Sequence, residues 1–287
     1  MTKRTKDGGA FQRVSEELRV RLSDGGYPLG SFLPSQETLA QEFGVSRDTV
    51  QRALRELGSE GWIESGRGRG SRVVRQHARS SVPRAGRSRH RPMTLGPVIG
   101  EAFERDEVTL DVSTLTSESL DAHIRVQAER IRAGDISPRR IQLRMLLPSE
   151  TQGMPYPRAK DHPDDPRLPE RLRAITEAHT ASLRTVLGEL RTERLVAEVL
   201  LEIRRTRLTP TFKLYVINRD EVLHGFYEPL LRTVILPDGT EVEAVDVLGF
   251  GATLTHHVRD ADPASPGSAF VANSTRWFDA VWELLAL

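Results

Sequence analysis

The hydrophobic pattern of residues 1–75 predicts three helices followed by a two-stranded hairpin. Apolar residues recur at helical spacings of three and four in the first helix, at Phe11, Val14, Leu18 and Leu22. A second helix is predicted over residues 36–43 and a third over residues 47–57. Short strands at residues 62–64 and 71–74 flank a glycine-rich tip that carries Arg67 and Arg69.

Helix-capping residues and a glycine fix the turn between the second and third helices. Ser35 and Ser46 can each accept a hydrogen bond from the free N–H groups of the helix that follows. Gly44 can adopt the left-handed conformation that ends the second helix, and Val45 is expected to pack in the core and so anchor the turn. This spacing predicts a helix-turn-helix, and the hairpin after it predicts a wing.

The third helix has an apolar face and a polar face. Val50, Ala53, Leu54 and Leu57 point inward, which leaves the polar residues of the first turn exposed. Such a turn can enter the major groove of DNA, and an arginine-bearing wing can follow the phosphate backbone. We therefore predict these DNA-binding residues: Ser35, Gln36, Ser46, Arg47, Thr49, Gln51, Arg52, Arg67 and Arg69. The alternative is an ordinary solvated helix face.

A resemblance to the GntR family of bacterial regulators is carried by residues 33–40, 43–50 and 66–68 and by Ala53, Leu54, Leu57 and Gly61. The resemblance covers residues 11–74 and implies a dimer bound to a pseudo-palindromic operator. It also implies contacts from Ser35, Arg47, Thr49, Gln51 and Arg67. Two positions depart from the family pattern, because Glu37 and Gln51 stand where members often have Arg. A carboxylate cannot bind phosphate as a cation does, and Gln51 could favour adenine over guanine.

Beyond residue 108 the pattern alternates between strands and helices. We predict strands at 108–112, 141–147, 196–203 and 212–217, and hairpin strands at 221–227, 232–236 and 241–247. Helices are predicted at 117–134, at 168–195 and at the C-terminus, around Trp277 and Trp282. Residues 148–169 are rich in proline and charge and predict a surface loop. The fold class is α/β and multi-domain, with a larger C-terminal α/β domain built on a mixed sheet.

The N-terminal part of the chain is basic and the C-terminal part is acidic, and the change coincides with the change in hydrophobic pattern. Residues 1–91 hold 18 Lys and Arg against 10 Asp and Glu, whereas residues 92–287 hold 23 against 30. Seven arginines and no acid lie between Arg72 and Arg91, which favours either a tether along DNA phosphates or a soluble spacer. We expect a DNA-binding domain at 1–75, a flexible linker at 76–98 and an effector and dimerisation domain at 99–287.

The composition excludes several kinds of chemical site. The absence of cysteine excludes disulfides, thiolate metal sites and a cysteine nucleophile. No apolar run is long enough to cross a bilayer, and the basic start lacks the apolar core of a signal peptide, so we expect a cytoplasmic protein without a membrane partner. His256 and His257 are adjacent and would point to opposite faces of a strand, so we expect neither a metal nor a cofactor.

A second, degenerate resemblance lies in the C-terminal domain. Thr211, Lys213 and Asn218 have the spacing of a phospholipase D half-site, with Thr and Asn where that superfamily has its His and Asp. The resemblance implies an inactive phosphodiesterase-like fold kept as a sensor. The alternative is a plain hairpin with an exposed lysine. We take Lys213, Asn218 and His224 as candidate ligand-binding residues and predict no catalytic residue.

Together these features predict a non-enzymatic transcriptional regulator. We expect a homodimer that binds a double-stranded DNA operator and whose C-terminal domain senses a small-molecule effector. One alternative is a phospholipase D-like phosphodiesterase or nuclease with a DNA-targeting domain. Another is a scaffold that binds a protein through the loop at 148–169.

Overall fold

The computed structural model describes most of the chain. The described residues are 14–15, 17–19, 21–22, 27, 31–59, 62–66, 70–73, 92–93, 95–236, 238–247 and 254–287. The chain divides into two compact units. The first contains residues 1–83, 159–163 and 231–245, and the second contains residues 84–158, 164–230 and 246–287.

The described part of residues 1–83 contains the predicted helices and hairpin. Val14, Leu18 and Leu22 are helical and fully buried, as their spacing requires. The regular elements are α1 (Gln36–Phe43), α2 (Arg47–Ser59), β1 (Ile63–Gly66) and β2 (Gly70–Val73). β1 and β2 pair antiparallel, from Ile63 opposite Val73 to Gly66 opposite Gly70. The backbone before α1 joins this hairpin, because the Leu33 N–H donates to the Ser71 carbonyl at 2.8 Å.

The rest of the chain alternates strands and helices, as predicted. Its elements in chain order are β3 (Pro92–Met93), α3 (Leu95–Ala102), β4 (Glu107–Ser113), α4 (Glu118–Ala133), β5 (Arg140–Pro148), β6 (Arg158–Ala159), α5 (Arg167–Thr192), β7 (Glu198–Thr206), β8 (Phe212–Ile217), β9 (Glu221–Phe226), β10 (Pro229–Ile235), β11 (Glu241–Val247), β12 (Leu254–Val258) and α6 (Pro266–Leu284).

A seven-stranded mixed sheet organises the second unit. Its strand order is β3-β12-β9-β8-β4-β5-β7, and β10, β11 and β6 form a separate sheet in the order β10-β11-β6. β4, β5 and β7 run parallel, and the other pairs of the large sheet are antiparallel. Helices α4 and α5 connect the parallel strands, since parallel neighbours need a long crossover. The predicted α/β class with a mixed sheet is confirmed.

Helices cover both faces of this sheet. One face packs against the apolar stripes of α3, α4 and α5 in the larger hydrophobic core. The opposite face packs against α6, where Val271, Phe278 and Trp282 are buried. Alternation along β8 serves both cores, because Tyr215 faces the larger core and Leu214 and Val216 face α6.

Two expected loop regions contain regular structure. The linker expected over 76–98 is wrong at its C-terminal end, where β3 pairs with β12 and α3 begins at Leu95. The apolar residues Leu95, Val98 and Ile99 have helical spacing and are buried, which explains the helix. Residues 74–91 lie outside the described residues. The expected loop at 148–169 contains β6 and the first turn of α5.

Candidate nucleic-acid interface

The start of α1 is held by a serine cap. The Ser35 hydroxyl accepts a hydrogen bond from the Thr38 N–H at 3.1 Å and lies 2.7 Å from the Thr38 hydroxyl. This satisfies a donor of the first helical turn that has no partner within the helix. Ser35 and Gln36, two of the predicted contact residues, are both exposed.

The turn between the helices depends on a left-handed glycine. Gly44 has φ 63° and ψ 36°, a conformation that costs other L-residues about 1–2 kcal/mol. The Val45 N–H donates to the Ala40 carbonyl at 3.0 Å and so closes the end of α1. The turn brings the first turns of α1 and α2 close enough for their side chains to meet, as the ion pair described below shows.

The first turn of α2 presents the exposed polar surface that the sequence predicts. The Ser46 hydroxyl accepts from the Thr49 N–H at 3.2 Å and lies 2.8 Å from the Thr49 hydroxyl. Arg47, Gln51 and Arg52 are exposed, whereas the apolar residues of the opposite face are buried. Cationic side chains thus stand at the end of α2 where the helix dipole is positive.

Thr49 differs from the other predicted contact residues. Its side chain is only 3% exposed, and its hydroxyl bonds to Ser46. A threonine can turn its hydroxyl toward a neighbouring cap and its methyl group toward the core, which the polar-face assignment did not consider. Thr49 therefore holds the start of α2 together and does not present its side chain at the surface.

An ion pair joins the two helices across the candidate surface. The Arg47 guanidinium contacts the Glu37 carboxylate, and each side chain is 63% exposed. The sequence marked Glu37 as unusual but did not show its partner, which lies ten residues away across the turn. The strongest cationic candidate of α2 is therefore already engaged with an acid of α1.

The wing is formed by β1 and β2. Gly66 pairs with Gly70 at the end of the described ladder. Arg67 and Arg69, the predicted wing contacts, lie outside the described residues. Arg72 in β2 is exposed.

The three candidate ligand-binding residues do not lie together in the structure. Lys213 is buried and pairs with Gly225, whereas His224 pairs with Leu214 and lies on the opposite face of the sheet, 5.2 Å from the Phe212 ring. The Asn218 side chain accepts a hydrogen bond from the Thr109 N–H at 2.8 Å and so fastens a turn.

Histidines 256 and 257 diverge as expected for neighbours on a strand. His256 Nε2 lies 2.7 Å from a Glu221 carboxylate oxygen, a contact that lowers the pKa of Glu221. His257 stacks on Phe270 with ring centroids 3.9 Å apart. Within the described part of the chain, no group of three or more His, Asp or Glu is placed to hold a metal ion. None of the helices described there has the length and apolarity needed to span a bilayer.

Comparison with known proteins matches the N-terminal part of the chain. Residues 10–73 match the family model for bacterial regulatory proteins of the gntR family. The uncharacterized HTH-type transcriptional regulator YdfD of Bacillus subtilis is 38% identical over 72 residues, which are 25% of this chain and 15% of that protein. The uncharacterized HTH-type transcriptional regulator RB1450 of Rhizobium meliloti is 35% identical over 79 residues, 28% of this chain and 32% of that protein.

Among solved structures, the N-terminal domain of AraR in complex with mutant ORR3 is 32% identical. That similarity covers 23% of this chain and 93% of the AraR domain, with a TM-score of 0.22. The chain thus spans less than a third of each of the two bacterial relatives. The phospholipase D-like resemblance of the C-terminal domain has no support in these comparisons. The capped helix-turn-helix, its wing and the family match agree that residues 10–73 are a GntR-family helix-turn-helix domain.

Proposed function

We propose that the chain is a sequence-specific DNA-binding transcriptional regulator without enzymatic activity. The observation that carries the proposal is the exposed polar first turn of α2 within a GntR-family helix-turn-helix domain. A helix N-terminus bearing Arg47 and Gln51 has the shape and the donors to contact base edges in the major groove. The ligand is a double-stranded DNA operator.

The contacts divide by chemistry. Arg47 can form a bidentate contact with guanine or bind phosphate, and Gln51 can pair with adenine. Phosphate contacts that set orientation suit four other exposed residues, Ser35, Gln36, Ser46 and Arg52. Arg67 and Arg69 in the wing complete the proposed set. Because Glu37 replaces a cation at this surface, the operator sequence is expected to differ from those of relatives with Arg at that position.

The test is operator binding at fixed salt. Genome-wide footprinting of the full chain supplies the operator, and fluorescence anisotropy then measures its affinity. Arg47→Ala should weaken binding by about 1–3 kcal/mol, whereas the charge-matched variant Arg191→Ala, at an exposed position of α5, should leave it unchanged. Thermal unfolding should show that both variants remain folded. Equal affinities for wild type and Arg47→Ala would refute the assignment of Arg47.

Homodimerisation and effector sensing complete the proposal. Two helix-turn-helix domains in a dimer would match a pseudo-palindromic operator, and the C-terminal domain would set their spacing. An effector could change operator affinity only by binding the two dimer states with different affinities. Sedimentation equilibrium of the full chain tests the dimer, and a monomer at micromolar concentration would contradict it.

A further inference from the structure

The large sheet reverses its strand direction at β4. This strand pairs parallel with β5 on one side and antiparallel with β8 on the other. The carboxyl end of β4 therefore lies beside the start of β8. The chain leaves the carboxyl end of β4 through residues 114–117 and enters α4.

The start of α4 is buried and lacks its cap. Ser117 occupies the N-cap position with 0% exposure, but its side chain makes no capping hydrogen bond. Its hydroxyl oxygen has no hydrogen-bond partner among the described residues. The N–H groups of residues 118–120 also lack partners within the helix, because the first turn of any helix has none. Ser117 and Leu120 are buried at this helix start, whereas Glu118 and Ser119 are half-buried.

A buried cation lies beside the same turn. Ser113 pairs with Leu214, so Lys213 stands level with the residue that follows β4. Its side chain is 4% exposed, and its ammonium lies 5.6 Å from the centre of the Tyr227 ring. Lys213 makes no hydrogen bond with any residue that the structure describes. Burial lowers the pKa of Lys213 to about 8, and the nearby Glu118 carboxylate opposes that shift.

The chain that links β4 to α4 is fixed in place. The Tyr227 hydroxyl accepts a hydrogen bond from the Leu115 N–H at 2.8 Å and lies 3.0 Å from the Thr114 hydroxyl. Leu115 and Tyr227 pack with Tyr156 and Val247 in a small apolar cluster. These contacts hold the backbone that leads into α4 in position before any ligand arrives, which reduces the entropy cost of binding.

A carboxylate in the first turn adds an acceptor. Asp121 is 1% exposed, and one of its oxygens lies 2.9 Å from His179 Nδ1. Its other oxygen has no hydrogen-bond partner among the described residues. A buried oxygen without a partner is costly, and a ligand hydroxyl could satisfy it.

We infer that Lys213, the Ser117 hydroxyl and the first N–H groups of α4 form a binding site for a small carboxylate or phosphate anion. Lys213 supplies the positive charge, and the helix terminus supplies oriented donors. The unpartnered oxygen of Asp121 would favour a ligand that carries a hydroxyl group next to its carboxylate or phosphate. The inference rests on the proposed function only in assigning the bound anion a role as effector.

The test is anion titration of the full chain followed by NMR. Inorganic phosphate and, separately, acetate are added at constant ionic strength, with sodium chloride as the balancing salt. At least one anion should shift the amide signals of residues 118–120 in a saturable way. Lys213→Met should weaken that binding at least tenfold. Lys160→Met, which removes the same charge from an exposed lysine, should leave it unchanged.

A second variant keeps the test decisive if Lys213→Met does not fold. Ser117→Ala removes only a buried hydroxyl that has no hydrogen-bond partner in the described part of the chain, so the fold should remain and anion affinity should fall about threefold to tenfold. Shifts that fail to saturate for both anions, or that persist unchanged in Ser117→Ala and Lys213→Met, would overturn the site.

Operator binding is measured separately on the same preparation. If the chain binds an anion saturably but binds no operator, the proposed function is refuted and the anion site is supported. If the chain binds an operator but binds no anion saturably, the anion site is refuted and the proposed function is supported.

Discussion

Glu37→Gln should strengthen DNA binding, because the Glu37 carboxylate competes with DNA for the Arg47 guanidinium. Both side chains of this ion pair are 63% exposed, so water screens their attraction. Exposed pairs of this kind contribute about 0.2–1 kcal/mol. If Arg47 must leave Glu37 to contact DNA, releasing it in advance should raise affinity by about 1.4-fold to 5-fold, since 1.4 kcal/mol corresponds to about tenfold.

A double-mutant cycle isolates this effect from general electrostatics. Any loss of a negative charge near DNA raises affinity somewhat, so the matched control is Glu42→Gln, which removes the same charge from the other end of α1. Operator affinity is measured by anisotropy for Glu37→Gln, for Arg47→Ala and for the double variant at one salt concentration. The reasoning fails if Glu37→Gln raises operator affinity no more than Glu42→Gln does. It also fails if Glu37→Gln raises the affinity equally in the Arg47→Ala background.

Three further predictions concern stability. Asp111→Ala should destabilise the fold by about 1.5–3 kcal/mol in urea unfolding, because it removes two 2.7 Å hydrogen bonds from Arg144, which then keeps only its bond to Asp279; a loss under 1 kcal/mol would contradict this. Burial lowers the pKa of His123 to about 4, so the unfolded chain takes up a proton first and stability falls as the pH drops from about 6.5 to 4. His123→Leu should remove about 3 kcal/mol of that dependence, and parallel pH profiles would refute the reasoning. Gly267→Ala would place its Cβ 2.5 Å from the Val258 carbonyl oxygen, so it should cost about 1–3 kcal/mol, and an unchanged Tm would argue against that contact.

The sequence predicted the helix-turn-helix well because its determinants are local. Serine caps, a left-handed glycine and a two-faced helix all act within a few residues of one another. The strand at residues 212–217 was predicted to the residue for a similar reason, since it is a short apolar run beside a turn. Strand β3 was missed because it has only two residues and its partner, β12, lies about 160 residues further along the chain.

The candidate sites were predicted less completely. The Glu37–Arg47 pair depends on how the turn at Gly44 brings two helices together, and spacing alone does not give that distance. The face on which His224 lies, by contrast, follows from the strand register. Ile217 pairs with Glu221 across a three-residue turn, and that register places Lys213 opposite Gly225. A side chain one position before Gly225 must then lie on the other face of the sheet.

Anion binding beside Lys213 and operator binding by α2 are separate equilibria until a coupling is measured. An anion that binds only the folded chain raises the apparent stability by RT ln(1 + [L]/Kd), whatever it does to DNA affinity. It alters operator affinity only if it binds the DNA-bound and free states differently. A phosphate-dependent rise in Tm with an unchanged operator Kd would therefore establish the site while showing that it is not regulatory. A rise in Tm with a changed operator Kd, absent in Ser117→Ala, would show that the buried start of α4 controls DNA binding.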